Sequence, residues 1–203
     1  MYLDLGANRG NTIQLFLLDP SMPPLSHLNN KDAFNFPYQP SEFRVVGVEA
    51  MKATHGAALE AIQRRFPEQV EILWAAAGTE DGAMLRIYRD EKAVAEAEWG
   101  AGFLPLFSSK FVDVPTVDVS SWLAGNACKC DFVVVKMNIE GSEFNVLDKM
   151  LREGTLCLMD VAHLYFHPKF FPGNESALVQ RIEEVYKPAF DDCGVLTEVW
   201  SVH

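Results

Sequence analysis

The chain has 203 residues, of which 49% are hydrophobic and 22% are charged, so it favours one domain with a buried core and excludes a wholly disordered chain. No apolar run is long enough to span a bilayer. The formal net charge of −11 repels phosphate backbones, so we expect no nucleic-acid partner.

Short apolar runs alternate with helical patterns along the chain, which predicts a parallel sheet covered by helices. The predicted strands are residues 1–5, 44–48, 70–75, 84–88, 111–117, 131–137, 156–165 and 195–202. The predicted helices are residues 10–18, 51–66, 120–123, 143–153 and 175–187, while residues 92–102 remain ambiguous. Ser142 and Asn174 are predicted to cap the last two helices. Residues 131–137 are apolar on both faces, as a central parallel strand requires.

Residues 19–43 interrupt this alternation with a long segment rich in Pro, Asn and Ser. A loop of this length in a compact domain is usually a lid or a binding loop, and a surface insertion without a role is an equal alternative. We expect a single domain over residues 1–203. A strand pattern follows Met1 at once, so we expect no signal peptide and, by default, a cytoplasmic location. The same abrupt start leads us to expect that N-terminal elements of the native chain are missing upstream of Met1.

The four cysteines are Cys128, Cys130, Cys157 and Cys193. The first two are closer together than the usual zinc-ribbon pair, and no second pair completes a metal site. Cys157 lies in an apolar run and is interpreted as a core residue. The sequence therefore favours free thiols in a reducing compartment.

The first predicted strand leads into Asp-Leu-Gly-Ala-Asn-Arg-Gly, residues 4–10, directly before a helix. Glycines at such a turn let the backbone approach a ligand, and nucleotide-like ligands bind at these carboxyl ends of parallel strands. Gly6 and Gly10 form a Gly-x-x-x-Gly spacing, whereas dinucleotide sites use Gly-x-Gly-x-x-Gly to hold a pyrophosphate. The spacing suits a ligand with an amino-acid tail, whose ammonium Asp4 could bind directly or through water. It predicts S-adenosyl-L-methionine (SAM) as the cofactor.

Two further polar positions follow predicted strands. Glu49 ends the second strand, where a carboxylate can accept both ribose hydroxyl protons; the alternative is a solvated strand end. Lys136 emerges from the central strand and needs a carboxylate partner or a route to solvent. Glu140 is predicted to be that partner or a general base for a substrate hydroxyl.

Together the motifs Asp-x-Gly-Ala-Asn-x-Gly, Val-Gly-Val-Glu-Ala and Lys-x-x-Ile-Glu-Gly-Ser-Glu-Phe-x-Val-Leu resemble those of the FkbM family of class I methyltransferases, over residues 1–167. The resemblance implies an α/β, Rossmann-like fold with a mostly parallel seven-stranded sheet and helices on both faces, SAM as methyl donor, and O-methylation. It implies that the cofactor-binding residues are Asp4, Gly6, Ala7, Asn8, Gly10, Glu49, Ala50, Met51, Ala76 and Asn138. The first motif would line the methionine side, Glu49 would hold the ribose, and Ala50 and Met51 would border the adenine, with Ala76 close by.

The predicted catalytic residues are Glu140, His167, His163 and Lys136, with Glu140 the first candidate for the base and His167 the second. Both histidines follow a core strand near the expected acceptor, where a histidine is either structural, a base or a metal ligand. We assign no metal site. A divalent cation held by these histidines with Asp160, Asn138 and Glu140 stays an open alternative.

These observations lead to the hypothesis of methyl transfer to a hydroxyl or carboxyl oxygen of a small molecule or glycan. The chain departs from the family at Asn138, where Asp is common, and at Tyr165, where an acidic residue is frequent. These departures favour an alternative function, a SAM-binding regulatory or scaffold module without catalysis. The glycine spacing disfavours a third function, that of a nicotinamide dehydrogenase.

Overall fold

The structure, a computed structural model, describes residues 1–17, 38–89, 101–102, 110–171 and 175–201. Most of the candidate lid at 19–43, most of the ambiguous segment at 92–102, and the predicted cap Asn174 lie outside the described residues.

The predicted strands and helices occur in the predicted order, with two differences. Thr155–Leu158, expected to begin a strand, forms a 3-10 turn, and Ala76–Gly78 and Lys187–Cys193 add a strand and a helix that were not predicted. The strands are β1 (Tyr2–Leu5), β2 (Val45–Val48), β3 (Val70–Leu73), β4 (Ala76–Gly78), β5 (Met84–Arg89), β6 (Ala101–Gly102), β7 (Phe111–Asp118), β8 (Val134–Met137), β9 (Val161–Phe166) and β10 (Leu196–Ser201). The helices are α1 (Asn11–Phe16), α2 (Lys52–Arg65), α3 (Val119–Asn126), α4 (Glu143–Glu153), α5 (Glu175–Arg181) and α6 (Lys187–Cys193), with a π-helical segment, Ile182–Tyr186, joining the last two. Short 3-10 turns lie at Pro40–Glu42, Thr155–Leu158 and Pro168–Phe170.

Six parallel strands form the main sheet in the order β10-β9-β8-β1-β2-β3. A second sheet has the order β4-β7-β5-β6, and its β5–β7 pair is antiparallel. The predicted Rossmann-like α/β class is confirmed, although the main sheet has six strands rather than seven. In the β5–β7 pair one face carries the exposed ion pair of Arg86 with Asp113, and such one-sided exposure suits an antiparallel pair rather than a doubly covered parallel sheet.

Helices cover both faces of the main sheet. One apolar cluster joins β1, β8 and β9 to α4 and α6, through residues such as Leu147 and Phe190. The other joins the opposite face to α1 and α2, through residues such as Phe16 and Leu59. Burial on both faces leaves the strand tips as the place where polar side chains can gather.

The strand register aligns polar residues in one row across the sheet. Asp4 on β1 is paired with Gly47 on β2 and with Lys136 on β8. Lys136 is in turn paired with His163 on β9, which is paired with Glu198 on β10. The row lies near the carboxyl ends of β1, β2 and β8, so the three predicted motifs leave the sheet at the same edge.

The cysteines correct the sequence prediction, because Cys128 is bonded to Cys130 and Cys157 to Cys193, leaving no free thiol. Packing of α6 against the Thr155–Leu158 turn brings the second pair together, a contact that sequence spacing does not reveal. The expectation of a cytoplasmic location therefore loses its support from free thiols. Within the described segments, no helix is long and apolar enough to cross a membrane.

Candidate functional site

The turn after β1 is held tightly between two neighbouring elements. Gly6 and Gly10 have φ values of 76° and 80°. A Cβ on Gly6 would lie 1.9 Å from the carbonyl oxygen of Asn138, and a Cβ on Gly10 would lie 2.3 Å from Cδ1 of Ile62. The glycines are therefore required by the close approach of the chain after β8 and of α2, a reason additional to the predicted approach of a ligand.

Asp4 and Lys136 form a buried ion pair beneath this turn, with 2.9 Å between Oδ1 and Nζ. The Lys136 ammonium also donates to the carbonyl oxygen of Gly6 at 2.8 Å, and the Thr12 hydroxyl donates to the other oxygen of Asp4. The prediction that Glu140 pairs with Lys136 is wrong, because the β1–β8 register places Asp4 beside Lys136. Asp4 is fully buried, so it supports the turn from below; its contact with a ligand ammonium stays a prediction.

Glu49 joins the turns that follow β1 and β2. Its Oε2 accepts the backbone N–H of Asn8 at 2.7 Å, and its Oε1 accepts that of Met51 at 2.7 Å. A carboxylate has about four acceptor positions, and these two bonds occupy one position on each oxygen. The two backbone bonds fix the orientation of the carboxylate before any ligand arrives.

His55 is a member of this site that the sequence analysis missed. Its Nδ1 lies 3.1 Å from Oε1 of Glu49, and both side chains are largely buried. The signal for it was available, since His55 lies in the first turn of α2 and one helical turn after the predicted residue Met51.

An apolar wall stands beside Glu49. Met51 and Ala76 are buried together with Ile87 and Val114, and Ala50 packs against this cluster. The structure thus brings together the predicted residues Ala50, Met51 and Ala76. The antiparallel pair of β5 and β7 contributes Ile87 and Val114, which sequence reasoning did not assign to the site.

Glu143 organises the turn between β8 and α4. It is fully buried, and its carboxylate accepts the backbone N–H groups of Ile139 at 2.8 Å and Gly141 at 2.7 Å. The prediction that Ser142 caps α4 is wrong, because its hydroxyl makes no capping bond. Ser142 has helical backbone angles, whereas a capping side chain needs an extended residue at that position.

His167 bridges two carboxylates at this turn. Its Nδ1 lies 2.9 Å from Oε1 of Glu143, and its Nε2 lies 3.5 Å from Oε1 of Glu140. Burial by itself would lower the pKa of His167, but hydrogen bonds to the two carboxylates, together with their charges, raise this pKa to about 9. The imidazole is therefore protonated at neutral pH and holds Glu140, whose side chain is 27% exposed.

His163 lies within the polar row of the sheet. Its Nδ1 is 3.2 Å from Oε2 of Glu198. Burial lowers the pKa of His163, and this effect is larger than the opposite effect of the Glu198 charge, which raises the pKa. In the neighbouring Tyr165, burial and the charges of Asp4 and Glu198 raise the pKa to about 12.

The structure does not bring Asp160 to Glu140. Asp160 precedes β9 and its carboxylate accepts the backbone N–H of Val133, whereas His167 follows the same strand. The six residues of β9 separate the two ends by about 20 Å. The open alternative of a divalent cation shared by Asp160 and Glu140 therefore has no geometric support.

Comparison with known families agrees with this arrangement. The model described as "Methyltransferase FkbM domain" matches residues 4–193. Neither a curated protein nor a solved structure matches the chain significantly.

Proposed function

Because this chain belongs to the FkbM family of methyltransferases, we propose that it transfers a methyl group from SAM to a hydroxyl or carboxyl oxygen of a small molecule or glycan. The observation that carries the proposal is the position of Glu49, which is locked by two backbone N–H groups beside the glycine turn. This is where a nucleoside with an amino-acid tail would lie across the strand tips.

The residues present fit SAM in three places. The turn of residues 6–10 would hold the methionine end, the Glu49 carboxylate would hold the ribose, and the wall of Met51 and Ala76 would border the adenine. When bound, SAM supplies a methyl group already activated on a sulfonium. The chain's own task is then to align the acceptor oxygen and to remove its proton.

Glu140 is the proposed general base. It is partly exposed, whereas Glu143 is fully buried and engaged with backbone N–H groups. His167 is protonated at neutral pH and so cannot accept the acceptor proton; we assign it a positioning role, holding the Glu140 carboxylate through Nε2. This positioning role replaces the earlier expectation that His167 is the second candidate for the base.

The Glu140→Gln variant tests this assignment. It should bind SAM as the wild type does in calorimetry, and lose about 10²–10⁴-fold in turnover, the usual contribution of a general base. Turnover is measured as release of S-adenosylhomocysteine over a panel of hydroxyl and carboxyl acceptors. Glu153→Gln, which alters a partly exposed carboxylate at the far end of α4, is the matched control and should remain active. Unchanged turnover in Glu140→Gln would remove Glu140 from the role.

A SAM-binding module without catalysis is the second candidate. It is favoured by Tyr165, where the resemblance to the family implies an acidic residue, because a phenol, whose pKa is raised here to about 12, stays protonated at neutral pH and cannot act as a base. SAM binding without methyl transfer to any acceptor in the panel would support it, and a single methylated product would exclude it.

A further inference from the structure

The turn between α3 and β8 carries three potential metal ligands outside the site described above. Cys128, Cys130 and Asp131 are all exposed, and their ligand atoms lie within 4.8 Å of one another. We propose that this turn, once its disulfide is reduced, binds one soft divalent cation of the zinc type.

The backbone holds the three ligands in place. The N–H of Asp131 donates to the carbonyl oxygen of Cys128 at 2.9 Å, and the N–H of Cys128 donates to Oδ2 of Asp131 at 2.8 Å. Neither hydrogen bond involves a sulfur atom, so neither needs the disulfide as a partner. Two thiolates and one carboxylate would leave one tetrahedral position for water.

The turn is remote from the candidate active site. It precedes β8, while Asn138 and Glu140 follow that strand, so the four residues of β8 place the turn about 13 Å away along the strand. Near the same edge the amino group of Met1 donates to the carbonyl oxygen of Phe132 at 2.6 Å. Cation binding here is therefore separable from binding at Glu49.

Reduction opens the site by a balanced exchange. A dithiol reductant gives two electrons and two protons to the Cys128–Cys130 bond and becomes a cyclic disulfide. The cation then forms two metal–sulfur bonds and releases the two thiol protons. With both sulfurs bonded to each other there is no thiolate to bind it. The Cys157–Cys193 pair is only partly exposed, so a hydrophilic reductant reaches the exposed pair more readily.

Cobalt(II) alone is the probe. The full chain is reduced with dithiothreitol, freed of reductant without oxygen, and titrated with Co²⁺. Thiolate-to-cobalt charge-transfer absorption should rise to a plateau at about one ion per chain and be displaced by Zn²⁺. The oxidised chain should show no such absorption; equal absorption before reduction would overturn the proposal.

Variants assign the signal to this turn. Cys128→Ser/Cys130→Ser should abolish it, whereas Cys157→Ser/Cys193→Ser should keep it; the reverse pattern contradicts the proposal. Asp131→Asn retains an acceptor for Cys128 and should weaken Co²⁺ binding at least about tenfold, since even indirect partners of metal ligands contribute that much. If Cys157→Ser/Cys193→Ser does not fold, persistence of the signal in Cys128→Ser/Cys130→Ser is sufficient to reject the site.

SAM calorimetry on the zinc-loaded reduced chain separates this proposal from the methyltransferase function. SAM affinity should equal that of the metal-free chain. Absence of SAM binding in both forms would contradict the proposed function and leave the cobalt result valid.

Discussion

Asn8 and Glu140 have φ values of 51° and 53°, and no other non-glycine residue in the described part of the chain has a positive φ. This conformation costs an ordinary residue about 1–2 kcal/mol, and Asn somewhat less. At Asn8 it accompanies the backbone N–H bond to Glu49, and at Glu140 it accompanies the contact with His167. Both unusual conformations occur where the site needs a group aimed in one direction, which is consistent with strain being retained for function.

The Gly6→Ala variant tests the close packing of the first turn. Its Cβ would meet the Asn138 carbonyl oxygen at 1.9 Å, so backbone displacement adds to the cost of a positive φ. We expect a loss of more than about 3 kcal/mol in unfolding free energy, measured with urea. Gly82→Ala is the control, because Gly82 has a φ of 71° with nothing near its Cβ; it should lose only about 1 kcal/mol. Equal losses would show that the turn relaxes around the methyl group.

The start of α4 shows how an element positions Glu140, the proposed general base. Glu143 accepts two backbone N–H groups of the preceding turn and contacts His167, so one carboxylate connects β8, α4 and the residue after β9. A carboxylate in the first turn of a helix is also favoured by the helix dipole. The turn that carries Glu140 is thus held in place by Glu143, three residues further along the chain.

Glu143→Gln should therefore destabilise the protein strongly. It removes a buried charge that compensates protonated His167, and the expected loss is about 3–5 kcal/mol. Ser142→Ala, next to it, should change the unfolding free energy by less than about 0.5 kcal/mol, because its hydroxyl makes no capping bond. Thermal and urea unfolding of both variants check the pair. A larger loss for Ser142→Ala would mean that the serine caps α4 after all.

For the whole molecule, His167 links stability to pH. Its folded-state pKa of about 9 is above the unfolded value of 6.5, so protonation favours the folded protein. The contribution is complete below pH 6.5 and is lost as the pH rises to about 9. The raised pKa corresponds to about 3 kcal/mol at most.

The wild type and His167→Gln should accordingly differ in a pH-dependent way. The difference in their unfolding free energies should be largest near pH 6 and should decrease by about 2–3 kcal/mol by pH 9.5. Urea unfolding at several pH values measures this difference. The contributions of groups that titrate equally in both proteins cancel when the two unfolding free energies are subtracted. A difference independent of pH would contradict protonation of His167 in the folded state.

The sequence alone was sufficient for the fold class, and it also led to the prediction of the cofactor end of the site. Apolar runs, helical periods and the turn of residues 4–10 are local patterns, and Glu49 follows from its place after the second strand. Each of these patterns involves residues that are close together along the chain, within one strand, turn or helix, so it can be recognised from the sequence without knowledge of the fold.

Only the tertiary structure decided which polar groups meet. The partner of Lys136 is Asp4, the cysteines are paired, and His167 is protonated between Glu140 and Glu143. Strand register and helix packing bring these residues together from distant parts of the chain. Their charge states follow from burial and from the partner gained, and neither exists until the chain has folded.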